Sequence, residues 1–255
     1  MKHNFHEFAL FSLEFSKAVH QNQAVVSIID PTTLHRLQQV LRLHEGNTII
    51  LFDDKNHAQC TLQSSTKKLI TLSYKQIFAS IPVQPELIVL IPLLKREALD
   101  ELMYACRELG VSGIYFFSSE KTSRSKMLPA EWERLERVSC AAAEQSKNFA
   151  PTVFLNKNEP IPTLTELCSN PTFQTHYAKT QKLFAEPSGV PASGLATSFS
   201  PKNAYLLCVG PEGDLTDTEK SMLRTKGFAF VRLGTTVLRA QQAATVLIGI
   251  IRSFT

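Results

Sequence analysis

The run Leu87-Ile88-Val89-Leu90-Ile91 is apolar at every position, and it constrains the fold more than any other stretch. A strand with one wet face alternates apolar and polar residues, because successive side chains point to opposite sides. A run without a polar position belongs to a sheet covered on both faces, which is the parallel kind and needs helical crossovers. The residues that follow supply them. Arg96 to Leu109 carries Leu99, Leu102, Met103, Cys106 and Leu109 on one stripe, and Gly110 takes the place of a C-terminal cap. VSGIYFF (111–117) reads as a second strand. Pro129 opens a second helix, reaching about Lys147, that turns Trp132, Leu135, Val138 and Ala142 inward. PTVFL (151–155) and KLFAE (182–186) are further strands. Alternation of this kind predicts an α/β fold with a mostly parallel sheet and helices on both faces.

Residues 24–74 have a different rhythm. AVVSII, TIILF, HAQCTLQ and LITLSY are short strand candidates at about ten-residue spacing. One short helix, Thr33 to Leu41 with Thr32 or Thr33 as cap, interrupts them. This pattern predicts a small barrel or sandwich as a separate domain, with Ile77 to Pro85 as linker. The expected division is residues 1–76 and 77–255.

Composition narrows the setting. Hydrophobic residues at 44% and charged residues at 20% are those of a soluble globular protein. Met1 to His20 lacks the clean apolar block of a signal peptide, and no run approaches the roughly 18 apolar residues of a membrane span. Cys60, Cys106, Cys140, Cys168 and Cys208 have no paired spacing and read as reduced thiols of a cytoplasmic protein. No CxxC or HxxxH occurs, so no metal site is expected. A net charge of +4 permits nucleic-acid binding without requiring it. Six of the seven histidines lie within the first 57 residues, where solvated loop histidines are the plainer reading.

The end of the chain carries the chemistry. Tyr205 to Val209 is an apolar run meeting Gly210-Pro211-Glu212-Gly213, and Thr216 with Glu219 forms a capping box for the next helix. Phe228 to Leu233 is a second run stopping at Gly234, and Val237-Leu238-Arg239 leads into a final apolar helix. Strand ends in an open α/β sheet are where ligands sit. Each glycine turn alone is compatible with a plain strand-to-helix connection. Together, with Val209, Leu233 and Leu238 beside them, they describe an apolar slot with backbone donors and acceptors, suited to a flat heterocycle such as adenine. The turn is neither GxGxxG nor GxxxxGK[ST], so phosphate cradling has little support.

VGPEGxxTxxE and LGxxVLRxxxAA, preceded by ELGVSGI…SRS…AAAEQS…P, resemble the bacterial 16S rRNA (uracil-N3) methyltransferases of the SPOUT superfamily. HRLQQVLRLHEGNTIILFD is similar to their N-terminal PUA-like RNA-binding barrel, so the likeness covers nearly the whole chain. It implies a C-terminal trefoil-knotted parallel sheet, a homodimer, S-adenosylmethionine as cofactor, and 16S rRNA or the small ribosomal subunit as partner, with no metal and no membrane. It assigns Val209, Gly210, Pro211 and Gly213 to one cofactor loop and Leu233, Gly234, Val237 and Leu238 to the other. Phe184 and Ala185 would close the slot from the neighbouring strand. Arg124, Arg239 and Glu212 become the catalytic candidates. The arginines would stabilise negative charge developing on uracil N3; Glu212 would act as base or orient an RNA group, or serve only the turn. His35, Arg36, Arg42, Lys126 and Lys147 are the RNA-binding candidates.

The chain departs from the family pattern at Asp214, where a second glycine is usual, and at Thr236, Ala240, Gln241 and Gln242, where RILRxET is usual. Asn148 replaces an arginine, with Lys147 as neighbouring substitute. Joint loss of an Arg–Glu pair at Thr236 and Gln241 would avoid an orphan buried charge. Two other readings stand beside methyl transfer: an RNA-binding protein of the same fold without turnover, and a nucleotide-dependent α/β enzyme using the GPEG turn.

Overall fold

The computed structural model describes residues 7–122 and 124–254. Contacts divide the chain into two compact units, Met1–Ile81 with Ala143–Pro151, and Pro82–Ala142 with Thr152–Thr255.

The first unit contains β1 (Ala9–Phe11), α1 (Leu13–His20), β2 (Val25–Ile28), α2 (Pro31–His35), β3 (Thr48–Phe52), β4 (Asn56–Thr66), β5 (Leu69–Tyr74) and β6 (Phe78–Ala79). The sheet order is β1-β3-β4-β5-β2, with β6 on β4. The β1–β3 pair is parallel and the other pairings are antiparallel. Two starts were not anticipated: β1 is too short for alternation, and α1 depends on Ser12, whose Oγ accepts from the Phe15 amide at 3.1 Å. The expected helix at Thr33 begins earlier. Asp30 caps it by accepting from the Thr33 amide at 2.8 Å, Pro31 opens its first turn, and a π-helical turn, Arg36–Val40, follows.

The contiguous apolar run of β3 has a simple cause. Ile49 and Leu51 face a core with Phe15, Val26, Leu37 and Leu72, while Ile50 and Phe52 face Ala143 and Phe149. The Phe52 and Phe149 rings stand 4.7 Å apart, and His57 lies 4.9 Å from Phe149. Segment Ala143–Pro151 therefore belongs to this unit's core, although the strand rhythm alone ended the unit at residue 76.

The second unit contains β7 (Leu87–Pro92), α3 (Arg96–Glu108), β8 (Gly113–Phe117), α4 (Pro129–Ser146, whose last turn is in the first unit), β9 (Val153–Phe154), α5 (Leu164–Ser169), α6 (Pro171–His176), β10 (Gln181–Pro191), α7 (Leu195–Ser198), β11 (Tyr205–Cys208), α8 (Asp217–Thr225), β12 (Ala229–Arg232) and α9 (Ala240–Arg252). Its sheet runs β12-β10-β11-β7-β8-β9, with every pairing parallel. Leu87, Val89 and Ile91 of β7 pack with Leu99, Leu102 and Met103 of α3 and Leu247, Ile248 and Ile251 of α9. Ile88 and Leu90 pack on the opposite face with Leu164, Phe173 and Leu223. Both faces are dry, as the apolar run requires; each such side chain contributes about 1.5–3 kcal/mol.

Two details position the strand ends. Gly110 has φ +70°, a left-handed conformation that costs glycine nothing, and it ends α3. Arg252 of α9 then reaches back: Nε donates to the Leu109 carbonyl at 2.8 Å, Nη1 to Pro85 at 2.7 Å and Nη2 to Gly110 at 2.5 Å. Burial pulls this guanidinium down to about 10, so it stays charged at neutral pH.

Candidate active site

Because the sheet is parallel and β12, β10 and β11 are neighbours, the segments leaving their carboxyl ends converge on one edge. There they enclose a cavity of about 440 Å³, the size of pockets that hold nucleoside-like ligands. Three walls can be traced to sequence. Val209, Gly210, Pro211 and Glu212 come from the turn after β11. Leu233, Gly234, Val237 and Leu238 come from the segment after β12. Ala185 and its successors come from β10. Arg239, the N-cap of α9, and Ala240 and Ala243 on its first turns also line it.

The turn after β11 is held from both ends. Pro211 O accepts from the Asp214 amide at 2.9 Å, and Asp214 has φ +62°. Such a left-handed position suits glycine best and is tolerated by aspartate. Asp214 Oδ1 accepts from the Leu215 amide at 2.7 Å. The capping box forms: Thr216 Oγ1 accepts from the Glu219 amide at 3.3 Å, and Glu219 Oε2 accepts from the Thr216 amide at 2.9 Å. Such a box contributes about 1 kcal/mol. Glu219 does more: its Oε1 accepts from the Glu120 amide at 3.3 Å, joining the loop before α4 to this helix start.

Two of the expected cofactor residues do not line the cavity. Phe184 lies on the opposite face of the sheet, fully buried with Leu206, Cys208 and Phe230, because alternation along β10 sends its neighbour Ala185 toward the cavity instead. Gly213 turns toward Lys121, whose Cβ would lie 3.4 Å from an added side-chain carbon. In their place Glu186, Pro187, Asp214, Arg232 and Thr236 line it. The pairing of β10 with β12 shifts between Ala185 and Val190, so Glu186 and Pro187 lie in a bulge where strand alternation gives no guide.

Ion pairs surround the site. Lys220 Nζ lies 2.6 Å from Asp214 Oδ2 and 2.8 Å from Glu186 Oε2. Burial pulls the Lys220 ammonium down, but hydrogen bonds and charge from Asp214 and Glu186 outweigh it and hold the group above the ordinary lysine value. Gln241 donates from Nε2 to Glu101 at 3.3 Å. This partner is on α3.

The remaining candidates fall outside the cavity lining. Arg124 donates to the Leu94 carbonyl at 3.3 Å, to the Lys126 carbonyl at 3.2 Å and to Glu131 at 2.7 Å; Lys126 itself is exposed. Ser123, in the same SRS motif, lies outside the described residues. In the first unit His35 and Arg42 are exposed, whereas Arg36 makes a two-pronged contact with Glu144 at 3.1 and 2.5 Å. Lys147 Nζ donates to the Glu144 carbonyl at 2.5 Å, and burial depresses its ammonium against the opposing pull of Glu144 and Glu7. Arg36 and Lys147 are therefore partly committed within the protein.

Chemically, the cavity offers an apolar slot with half-buried Gly210 and exposed Gly234 in its walls, and acidic and basic groups at its rim. Residues 82–252 match the model of the RNA methyltransferase domain family. Among curated proteins, the chain is similar to ribosomal RNA small subunit methyltransferase E of Synechocystis, at 30% identity over 92% of this chain and 76% of the relative. The protein of the same designation from Bacillus subtilis is 26% identical over 82% of this chain and 83% of its own length. Among solved structures, ribosomal RNA small subunit methyltransferase E from Neisseria gonorrhoeae, bound to S-adenosyl methionine, superposes with a TM-score of 0.75 at 23% identity over 97% and 98% of the two chains. A probable rRNA-methyltransferase from Porphyromonas gingivalis gives a TM-score of 0.75 at 21% identity over the same shares. At these identities the structures speak for the fold.

Proposed function

This chain belongs to the RNA methyltransferase family that includes ribosomal RNA small subunit methyltransferase E, and from that membership we propose that it methylates small-subunit ribosomal RNA, at N3 of a uridine, with S-adenosylmethionine as methyl donor. The single observation that carries the reading is the cavity at the ends of β10, β11 and β12, lined by the glycine turns that the family motifs occupy.

The residues present fit that cofactor. Val209, Leu233, Leu238 and Ala243 offer apolar walls for an adenine, backbone at Gly210 and Gly234 is open to hydrogen bonding, and the exposed carboxylate of Glu212 suits a cationic ligand. When bound, the cofactor supplies an electrophilic methyl group on a sulfonium.

This chain's own side chains provide the rest. Uracil N3 is nucleophilic once its proton has left, and that proton is held at neutral pH. Arg239 at the cavity edge would lower the barrier by stabilising negative charge on the base, with Arg124 doing so from the basic loop. Glu212, exposed at the rim, would act as proton acceptor or orient an RNA group, or serve only the turn. N3 is hidden in a paired base, so the target is a single-stranded or flipped uridine. His35 and Arg42 of the first unit, and Lys126, are the exposed cations for phosphate contact.

The finer architecture of the reading is a PUA-like first unit, a C-terminal trefoil knot whose loops hold the cofactor, and a homodimer. Val190 and Val237, 64% and 81% exposed, are apolar surface that a second copy would cover. Sedimentation equilibrium tests this: a dimer is expected, and a monomer at micromolar concentration would count against it.

Incubation of the purified chain with methyl-labelled S-adenosylmethionine and small-subunit RNA or subunits tests the activity. Label is expected in one uridine. Binding of RNA without label transfer would favour the turnover-free reading; thermal protection by ATP but not by S-adenosylhomocysteine would favour a nucleotide enzyme.

A further inference from the structure

We propose that Lys220 is a positioning residue that braces two walls of the cavity, an inference resting on the cofactor reading above. Lys220 itself is not part of the lining; it stands behind it on α8, with its side chain 15% exposed. Its ammonium bridges Asp214, on the turn after β11, and Glu186, on the bulge after Ala185 of β10. These two carboxylates line the cavity from different walls. One cation thus ties together segments that are otherwise far apart in sequence.

Three features argue for a built brace. Glu186 is only 7% exposed, so its charge needs a partner, and Ser188 supplies a second contact by donating from Oγ at 3.1 Å. Asp214 occupies a left-handed position where glycine would be more comfortable, and the residue present there supplies the carboxylate that Lys220 grips. The same aspartate holds the Leu215 amide, so the grip on its side chain is transmitted to the turn backbone. Lys220 would act on the cofactor by fixing the distance between Pro211 and Pro187, without touching the cofactor.

The test uses the full chain. Lys220→Met, and Glu186→Gln with Lys220→Met to avoid an orphaned buried charge, should raise the KM for S-adenosylmethionine about tenfold while kcat changes less than about twofold. Lys220→Arg should restore the wild-type KM. Hydrogen exchange at the amides of Gly210 and of Glu212 to Leu215 should quicken in both methionine variants and return to the wild-type rate in the arginine variant. Unchanged exchange would overturn the brace, and faster exchange with an unchanged KM would overturn its role in positioning. If the wild-type chain binds no S-adenosylmethionine, the functional reading is what fails, and exchange still decides whether Lys220 joins the walls.

Discussion

Arg124 donates from Nη2 to Glu131 across 2.7 Å, and the same guanidinium holds the carbonyls of Leu94 and Lys126. Burial alone would push the Glu131 carboxyl up; hydrogen bonds from the Leu128 amide and Arg124, with the charges of Arg124 and Arg134, outweigh it and keep the group below its ordinary value. The loop before α4 is thus clamped onto the end of β7 by an arginine also expected to face RNA. Arg124→Ala should leave S-adenosylmethionine affinity intact and reduce kcat on RNA by about a hundredfold. Calorimetry beside a turnover assay checks both; wild-type activity would remove Arg124 from the site.

Gln241 meets Glu101 in a polar contact that tolerates no second carboxylate. Gln241→Glu should destabilise the protein by about 1 kcal/mol, measured by chemical denaturation. Repulsion raises the folded-state pKa of the introduced acid, so the penalty is absent below the ordinary carboxylate range and develops as pH rises above it. Pairing the change with Glu101→Gln should remove the pH dependence. A stabilising Gln241→Glu would contradict the contact.

At Gly210 an added Cβ would meet nothing closer than 3.6 Å, from Asp214 and Leu215. The fold should therefore accept Gly210→Val while the larger side chain fills the cavity. The expected outcome is a melting temperature close to wild type and S-adenosylmethionine affinity weakened at least about a hundredfold. Retained affinity would move the cofactor elsewhere.

Arg252 satisfies the carbonyls of Leu109, Pro85 and Gly110 at once. Arg252→Met keeps the packing of its stem and abandons those acceptors. A loss of about 2–4 kcal/mol is expected in denaturant unfolding, with Arg252→Lys recovering part of it. A loss under about 0.5 kcal/mol would show that water replaces the guanidinium there.

Strand and helix placement followed from patterns that have one physical cause each. The run Leu87–Ile91 has both faces covered, TIILF is β3 to the residue, and the Thr216–Glu219 box caps α8. The glycine turns were visible as candidate walls because parallel strands present their carboxyl ends together. What escaped depends on distant partners. α5 and α6 have six residues each, too short to establish a period. Glu186 and Pro187 lie where β10 leaves its register, and Gly189 there is pressed against the Phe230 backbone, 2.5 Å from where a Cβ would be; no local signal announces such an approach. Lys220 sits on a helix face like any solvated lysine until the bulge brings Glu186 to it. Phe184, by contrast, follows from alternation alone: one residue before Ala185, it takes the other face of the sheet.

The proposed reaction places a methyl group on a uridine of small-subunit ribosomal RNA. Mass spectrometry of nuclease-digested small-subunit RNA, from cells with and without the protein, tests it most directly. Loss of one N3-methyluridine in its absence, restored by the wild-type chain and not by Gly210→Val, is the predicted result. An unchanged set of methylated nucleosides would contradict the account.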